Sequence, residues 1–101
     1  MSMIEQFRDK AYVHNGRMLL FNAVTAIDIV NKCKECGVAI LNIEAFTRHG
    51  VCIQPHTSDS IDFPHNLMSA AQKREHWNVA ENFLKHKIDS NLYFELFLED
   101  E

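Results

Sequence analysis

Turn-forming residues are scarce in this sequence, with three glycines and two prolines in 101 residues. A phosphate cradle of the Walker or dinucleotide kind needs glycines at fixed spacing so that the backbone can close on the anion, and no such run is present. No Pro-, Gly- or Ser-rich stretch reads as a linker, and no low-complexity tract or internal repeat is visible. The three cysteines are an odd count, which fits reduced thiols better than a paired disulfide scaffold. No apolar run approaches the ~18 residues of a membrane-spanning helix. The opening "MSMIEQFRDKAYV" carries charges too early and too often for a signal peptide, so a cytoplasmic location is expected.

Clustered positive charge is also missing. Ten lysines and arginines against fourteen acidic residues leave a net charge of −4, and the basic residues are scattered. That argues against a nucleic-acid footprint and is compatible with a basic protein partner. What is present is ordinary for one globular domain, with 47% hydrophobic and 24% charged residues. A chain of this size buries roughly 60–70% of its unfolded surface, so no metal or disulfide is required for a core.

Residues 1 to 10 read as a short helix or a frayed arm. Asn15-Gly16 lies between apolar runs and signals a hairpin, because both central residues of a type I′ turn need positive φ. Helical spacing then begins, with Ala23, Ala26, Ile27, Val30 and Cys33 on one side. Asn22 is a suitable N-cap and Gly37 a suitable left-handed terminator, which predicts a helix over 23–36. "VAILNIEAF", residues 38–46, reads as a strand, with Ala39, Leu41, Ile43 and Ala45 on one face and Val38, Ile40, Asn42, Glu44 and Phe46 on the other. "TRHG" is expected to turn the chain, and "VCIQ" returns as a short strand ending at Pro55.

"HTSDSIDFPHN" reads as a polar loop anchored by Ile61 and Phe63, with Asp62 or Asn66 able to cap a turn. Ser69-x-x-Gln72 is a capping box. It opens a helix over 69–88 with Trp77, Ala80, Leu84 and Ile88 as its buried stripe and a solvent-facing Glu81–Lys85 pair. "LYFELFL", residues 92–98, is a strand with Leu92, Phe94, Leu96 and Leu98 inward and Tyr93, Glu95 and Phe97 outward. The acidic end "EDE" is expected in solvent. The order β-α-β-β-α-β predicts an α+β fold, an antiparallel sheet with two helices on one face, ferredoxin-like or related, with a possible extra N-terminal hairpin.

Cys33-x2-Cys36 with Cys52-x3-His56 has the count and spacing of a zinc site. The helical context opposes that reading. Cys33 falls on an apolar stripe, and a knuckle pair sits on a turn. Free cysteine is among the most buried residue types, so core packing is the better account. A redox pair is weaker still, because it needs its first cysteine at a helix N-terminus and this pair lies at a C-terminus. None of the six histidines falls in a spacing such as HExxH, and no nucleophile elbow is present. No catalytic residue, metal or cofactor is therefore assigned.

The outward face of the sheet is the informative surface. Glu44, Phe46, Tyr93 and Glu95 would combine aromatic anchors with acidic groups, and Asp59 and Asp62 crowd the anchored loop nearby. Such a surface suits a protein partner, because aromatic anchors dominate interface energetics. It lacks the basic residues an RNA-binding sheet would carry. A covering N-terminal hairpin or a second copy of the chain, as a homodimer, would equally explain an apolar outer face.

The run "GVAILNIEAFTRHGVCIQPHTSDSIDF", the helix after it and "YFELFL" resemble small bacterial immunity proteins of polymorphic and contact-dependent inhibition toxin systems. The likeness spans residues 37–98 and rests on the Ile-Glu-x-Phe strand end and the Ile-Asp-Phe loop. It implies a cytoplasmic inhibitor that binds one cognate toxin domain, often a nuclease. Glu44, Phe46, Asp59, Asp62, Tyr93 and Glu95 are the expected contacts. The alternative is a small metal-binding or homo-oligomeric structural protein using Cys33, Cys36, Cys52 and His56.

Overall fold

The computed structural model describes residues 3–63 and 69–99. Its local elements follow from the signals above. A 3-10 helix, Ile4–Lys10, tucks Met3 into the core and packs Ile4 and Phe7 against it, so the N-terminal segment is not a frayed arm. Strands β1 (Tyr12–His14) and β2 (Met18–Leu20) form a hairpin. Asn15 and Gly16 both have positive φ at its tip, and the Arg17 N–H donates to the His14 carbonyl. Helix α1 spans Ala23–Cys36. The Asn22 side chain accepts from the Thr25 N–H at 2.8 Å, and Gly37 ends the helix at φ 71°. That conformation costs a residue bearing a Cβ about 1 kcal/mol or more.

Strand β3 runs Ile40–His49, β4 runs Cys52–Pro55 and β5 is the pair Ile61–Asp62. Between β4 and β5 lies a 3-10 turn, Thr57–Asp59. The residues expected to turn the chain instead extend β3, with Thr47, Arg48 and His49 paired to Gln54, Ile53 and Cys52. Helix α2 spans Ala70–Lys85 and opens with both bonds of the Ser69–Gln72 capping box. It stops before Ile88, which is 48% exposed rather than part of the buried stripe. Strand β6 is Tyr93–Leu98. Asn66 lies outside the described residues.

β3 is the organiser of the sheet. It pairs antiparallel with β6 on one edge and with β4 and β5 on the other. The far edge of β6 meets Phe21, just beyond β2, in an antiparallel bridge with bonds of 2.7 and 2.8 Å. β6 is thereby inserted between β2 and β3, and β3 between β5 and β6. Each strand–helix–strand unit is split by one strand, so neighbouring strands run antiparallel throughout.

Both helices pack on each other and on one face of this sheet, giving the α+β architecture the element order predicts. The core lies between the layers. Phe21, Ile29, Val30, Cys33, Ile40, Ile43, Leu84 and Phe94 are each wholly removed from solvent. Full burial stabilises a side chain of this size by roughly 1.5–3 kcal/mol relative to exposure. On α1, Ile29 completes the buried stripe, and Ile27 is only partly covered. A register shift between Ile40 and Asn42 makes Leu41 an extra residue, so Ile40 rather than Leu41 faces the core.

Several polar links tie the layers together. The Trp77 indole donates to the Val38 carbonyl at 2.8 Å. Glu99 accepts from the Ala39 N–H at 2.8 Å and from Lys73 at 2.9 Å, so this first residue of the acidic end is exposed, as expected, and hydrogen-bonded as well. Glu81 bonds Lys34 of α1 as well as Lys85, at 3.0 Å, so the expected pair is one arm of a bridge between the helices.

Candidate functional site on the open face of the sheet

The pleat carries alternate residues of each strand to the face opposite the helices. Strand register then places them in rows. Phe97, Asn42 and Asp62 form one row. Glu95 and Glu44 form the next. Tyr93, Phe46 and Pro55 form a third, and Arg48 with Ile53 lies beyond it. Five of the six residues singled out from the sequence, namely Glu44, Phe46, Asp62, Tyr93 and Glu95, therefore share one face. The Ile-Glu-x-Phe and Ile-Asp-Phe runs meet there too, because Ile43 pairs with Ile61 and Asn42 with Asp62.

Asp59 is set apart. Its carboxylate accepts from Lys87, just past α2, at 2.6 Å and lies 2.9 Å from His56 Nε2. The Lys87 hydrogen bond, with the Lys87 charge and the His56 ring beside it, holds its carboxyl below the usual range. Asp59 thus fastens the turn between β4 and β5 to the end of α2.

The members of the open face differ in what they present. Phe46 is 5% exposed between its neighbours and shapes the surface more than it projects from it. Tyr93 is half-buried and Phe97 is 36% exposed. Partial burial pushes the Glu95 carboxyl above its ordinary value, and the facing Glu44 adds to the shift. Two carboxylates directly opposite across a ladder repel, and here nothing on the same two strands neutralises them. A cavity of about 540 Å³ opens beside them, lined by Asn42, Glu44, Phe46, Thr57, Ser60 and Asp62 among others. The turn at Thr57–Asp59 creates its wall. It is pinned by His56 N–H to Ala45 O at 2.7 Å and by Ala45 N–H to Ser60 Oγ at 3.1 Å.

Arg48 and Tyr12 were not among the sequence candidates. The Arg48 guanidinium lies 3.9 Å above the Tyr12 ring and 5.9 Å from that of Tyr93, and Tyr12 and Tyr93 are 6.3 Å apart. Arg48 follows Phe46 by two residues, so a strand carried through "TRHG" would have put it on this face. The Tyr12 contact has no local signal.

The cysteines do not converge. Cys33 is in the core, with its thiol 3.5 Å from the Met3 sulfur, and Cys36 and Cys52 are exposed. Among the described residues no group of three or more His, Cys, Asp or Glu side chains is placed to hold a metal ion. No helix among them is long and apolar enough to cross a membrane. No protein-family model matches the chain, and no curated protein matches it.

Proposed function

We propose that this chain is a cytoplasmic immunity protein, a non-catalytic inhibitor that binds one cognate bacterial toxin domain through the open face of its sheet. A nuclease is the class its charge suits, because nuclease surfaces are basic where they meet phosphates. The observation that carries the reading is the opposed pair Glu44 and Glu95, set between an aromatic row and the Phe97–Asn42–Asp62 row. A basic side chain of the partner placed between the two carboxylates would remove their repulsion, and that gain exists only in the complex. Tyr93 and Phe97 supply apolar area on either side. The resemblance of residues 37–98 to immunity proteins points the same way, since both of its short runs contribute residues to this face, Glu44 and Phe46 from one and Asp62 from the other.

The reading expects a toxin gene next to this one, and the test is co-expression of this chain with the C-terminal domain that gene encodes. Survival of the host and co-purification of the two chains are the expected results. A double charge reversal, Glu44→Lys with Glu95→Lys, should abolish both. Full protection by that variant would remove the electrostatic part of the reading. Failure of the parent chain to bind would remove the toxin itself.

A further inference from the structure

A second cavity, of about 370 Å³, lies around the edge from the acidic one. It is lined by Asn22, Arg48, Gly50, Ser90, Asn91, Leu92 and Tyr93. No acidic residue lines it, although the chain carries fourteen. Its one charged group is Arg48, an exposed side chain held by two contacts. Tyr12 lies 3.9 Å beneath the guanidinium, and Nε donates to the Gly50 carbonyl at 2.9 Å. Among the described residues Arg48 has no carboxylate partner, and its two terminal nitrogens donate to no protein acceptor. An arginine restrained this way has already lost much of the side-chain entropy that binding would otherwise cost.

The surrounding groups are donors or neutral. The Asn22 oxygen is used by the Thr25 N–H, which leaves its amide nitrogen as a donor toward the cavity it lines. Asn91 adds a second side-chain amide. Ser90 is committed, donating to the Lys87 carbonyl and accepting from the Leu92 N–H. Tyr93 and Leu92 form an apolar wall. The volume lies at the lower end of small-ligand sites, which run from about 300 Å³ upward.

The geometry points to an oxyanion-binding site in this cleft, with Arg48 as a bidentate donor to the phosphate or carboxylate of a small molecule, assisted by Asn22 and Asn91. A guanidinium fork matches either group, and a charge-assisted pair of this kind is about twice as strong as a neutral one. The inference does not rest on the toxin-binding reading, because it uses the opposite charge and a different cavity, although Tyr93 borders both surfaces.

The test is titration of the whole chain with inorganic phosphate, and separately with acetate, followed by amide NMR shifts. Sodium chloride at matched ionic strength is the control. Saturable shifts at Asn22, Ala23, Asn91 and Tyr93 are expected with phosphate, with acetate, or with both, and the two arms decide which oxyanion the cleft takes. Arg48→Gln should weaken binding by at least about tenfold, and Arg48→Lys, which keeps charge but loses the fork, should fall between. Arg48 also packs on Tyr12, so Asn91→Asp provides a second variant that leaves that packing alone and should weaken binding to a similar degree. Identical shifts with chloride, or undiminished phosphate and acetate binding in Asn91→Asp and a folded Arg48→Gln, would overturn the inference.

Discussion

Glu44 and Glu95 stand directly opposite each other across β3 and β6, on the face of the sheet that carries no helix. Sequence parity places each on that face, but only strand register makes them partners. Cross-strand like charges cost on the order of 0.2–1 kcal/mol, so the pair is a liability in the isolated chain. Natural sheets tolerate such liabilities where the compensating group arrives from outside. That makes the pair the natural centre of the proposed contact, with the cavity bounded by Asp62 extending the acidic surface beside it.

The shifted Glu95 carboxyl gives a pH signature with a definite sign. Its folded value is raised, so it binds its proton more tightly in the native state than in the unfolded one. It therefore contributes stability in acid, below the ordinary glutamate value, and loses that contribution as pH rises through the raised value. Glu95→Gln should stabilise the free protein near neutral pH by a few tenths to ~1 kcal/mol, and the gain should vanish near pH ~4. Urea unfolding of parent and variant at both pH values measures it, and a gain equal at both would contradict the repulsion.

Glu81 should behave in the opposite sense. Hydrogen bonds from Lys34 and Lys85 hold its carboxyl below the usual range. The stability it supplies is present above the ordinary glutamate value and is lost as pH falls through its depressed one. Because it links α1 to α2, Glu81→Gln should lower stability at neutral pH by roughly 0.5–1 kcal/mol, the range of partly exposed ion pairs. The loss should shrink in acid and in high salt. A thermal-melt series against pH and salt distinguishes this from a simple packing defect, which neither variable would relieve.

The cysteines can be sorted by substitution. Cys33 is wholly buried, whereas Cys36 and Cys52 are exposed. Cys33→Ser should cost about 1–3 kcal/mol, because a small apolar group in the core is replaced by a hydroxyl that must be desolvated. The same change at Cys36 or Cys52 should be close to neutral. Comparable losses at all three, together with a zinc-dependent melting temperature, would restore the metal-site reading.

Signals that act within a few residues were legible in the chain. Asn15-Gly16, the Asn22 cap, the Gly37 terminator and the Ser69–Gln72 box each work locally, and the structure shows each of them. The alternation in "YFELFL" also placed Tyr93, Glu95 and Phe97 correctly. What was not legible depends on distant partners. β3 continues through Arg48 by pairing with β4, and the Tyr12 ring that then receives the Arg48 guanidinium is 36 residues away in sequence. The extra residue at Leu41 is set by pairing with β6, which the local alternation cannot report. Asp59 is tied to Lys87, 28 residues on in sequence, a link no local signal reports. Glu99 stays exposed, but Lys73 and the Ala39 N–H meet it across the layers.

Association kinetics should separate the charged and aromatic parts of the open face. Exposed charges act over a Debye length of about 8 Å at physiological salt and accelerate encounter, whereas apolar anchors act after contact. With the proposed cognate toxin domain immobilised, Glu44→Gln combined with Glu95→Gln should lower the association rate by ~10-fold at low salt, and the difference should narrow as salt rises. Phe97→Ala should leave the association rate nearly unchanged and raise the dissociation rate by ~10-fold, the equivalent of one anchor residue. Phe97 suits this test because it is partly exposed and belongs to the outer row rather than the core, so its loss should leave the fold intact. If the two variants affected the same rate constant in the same way, the division of labour between the carboxylate pair and the ring beside it would be wrong.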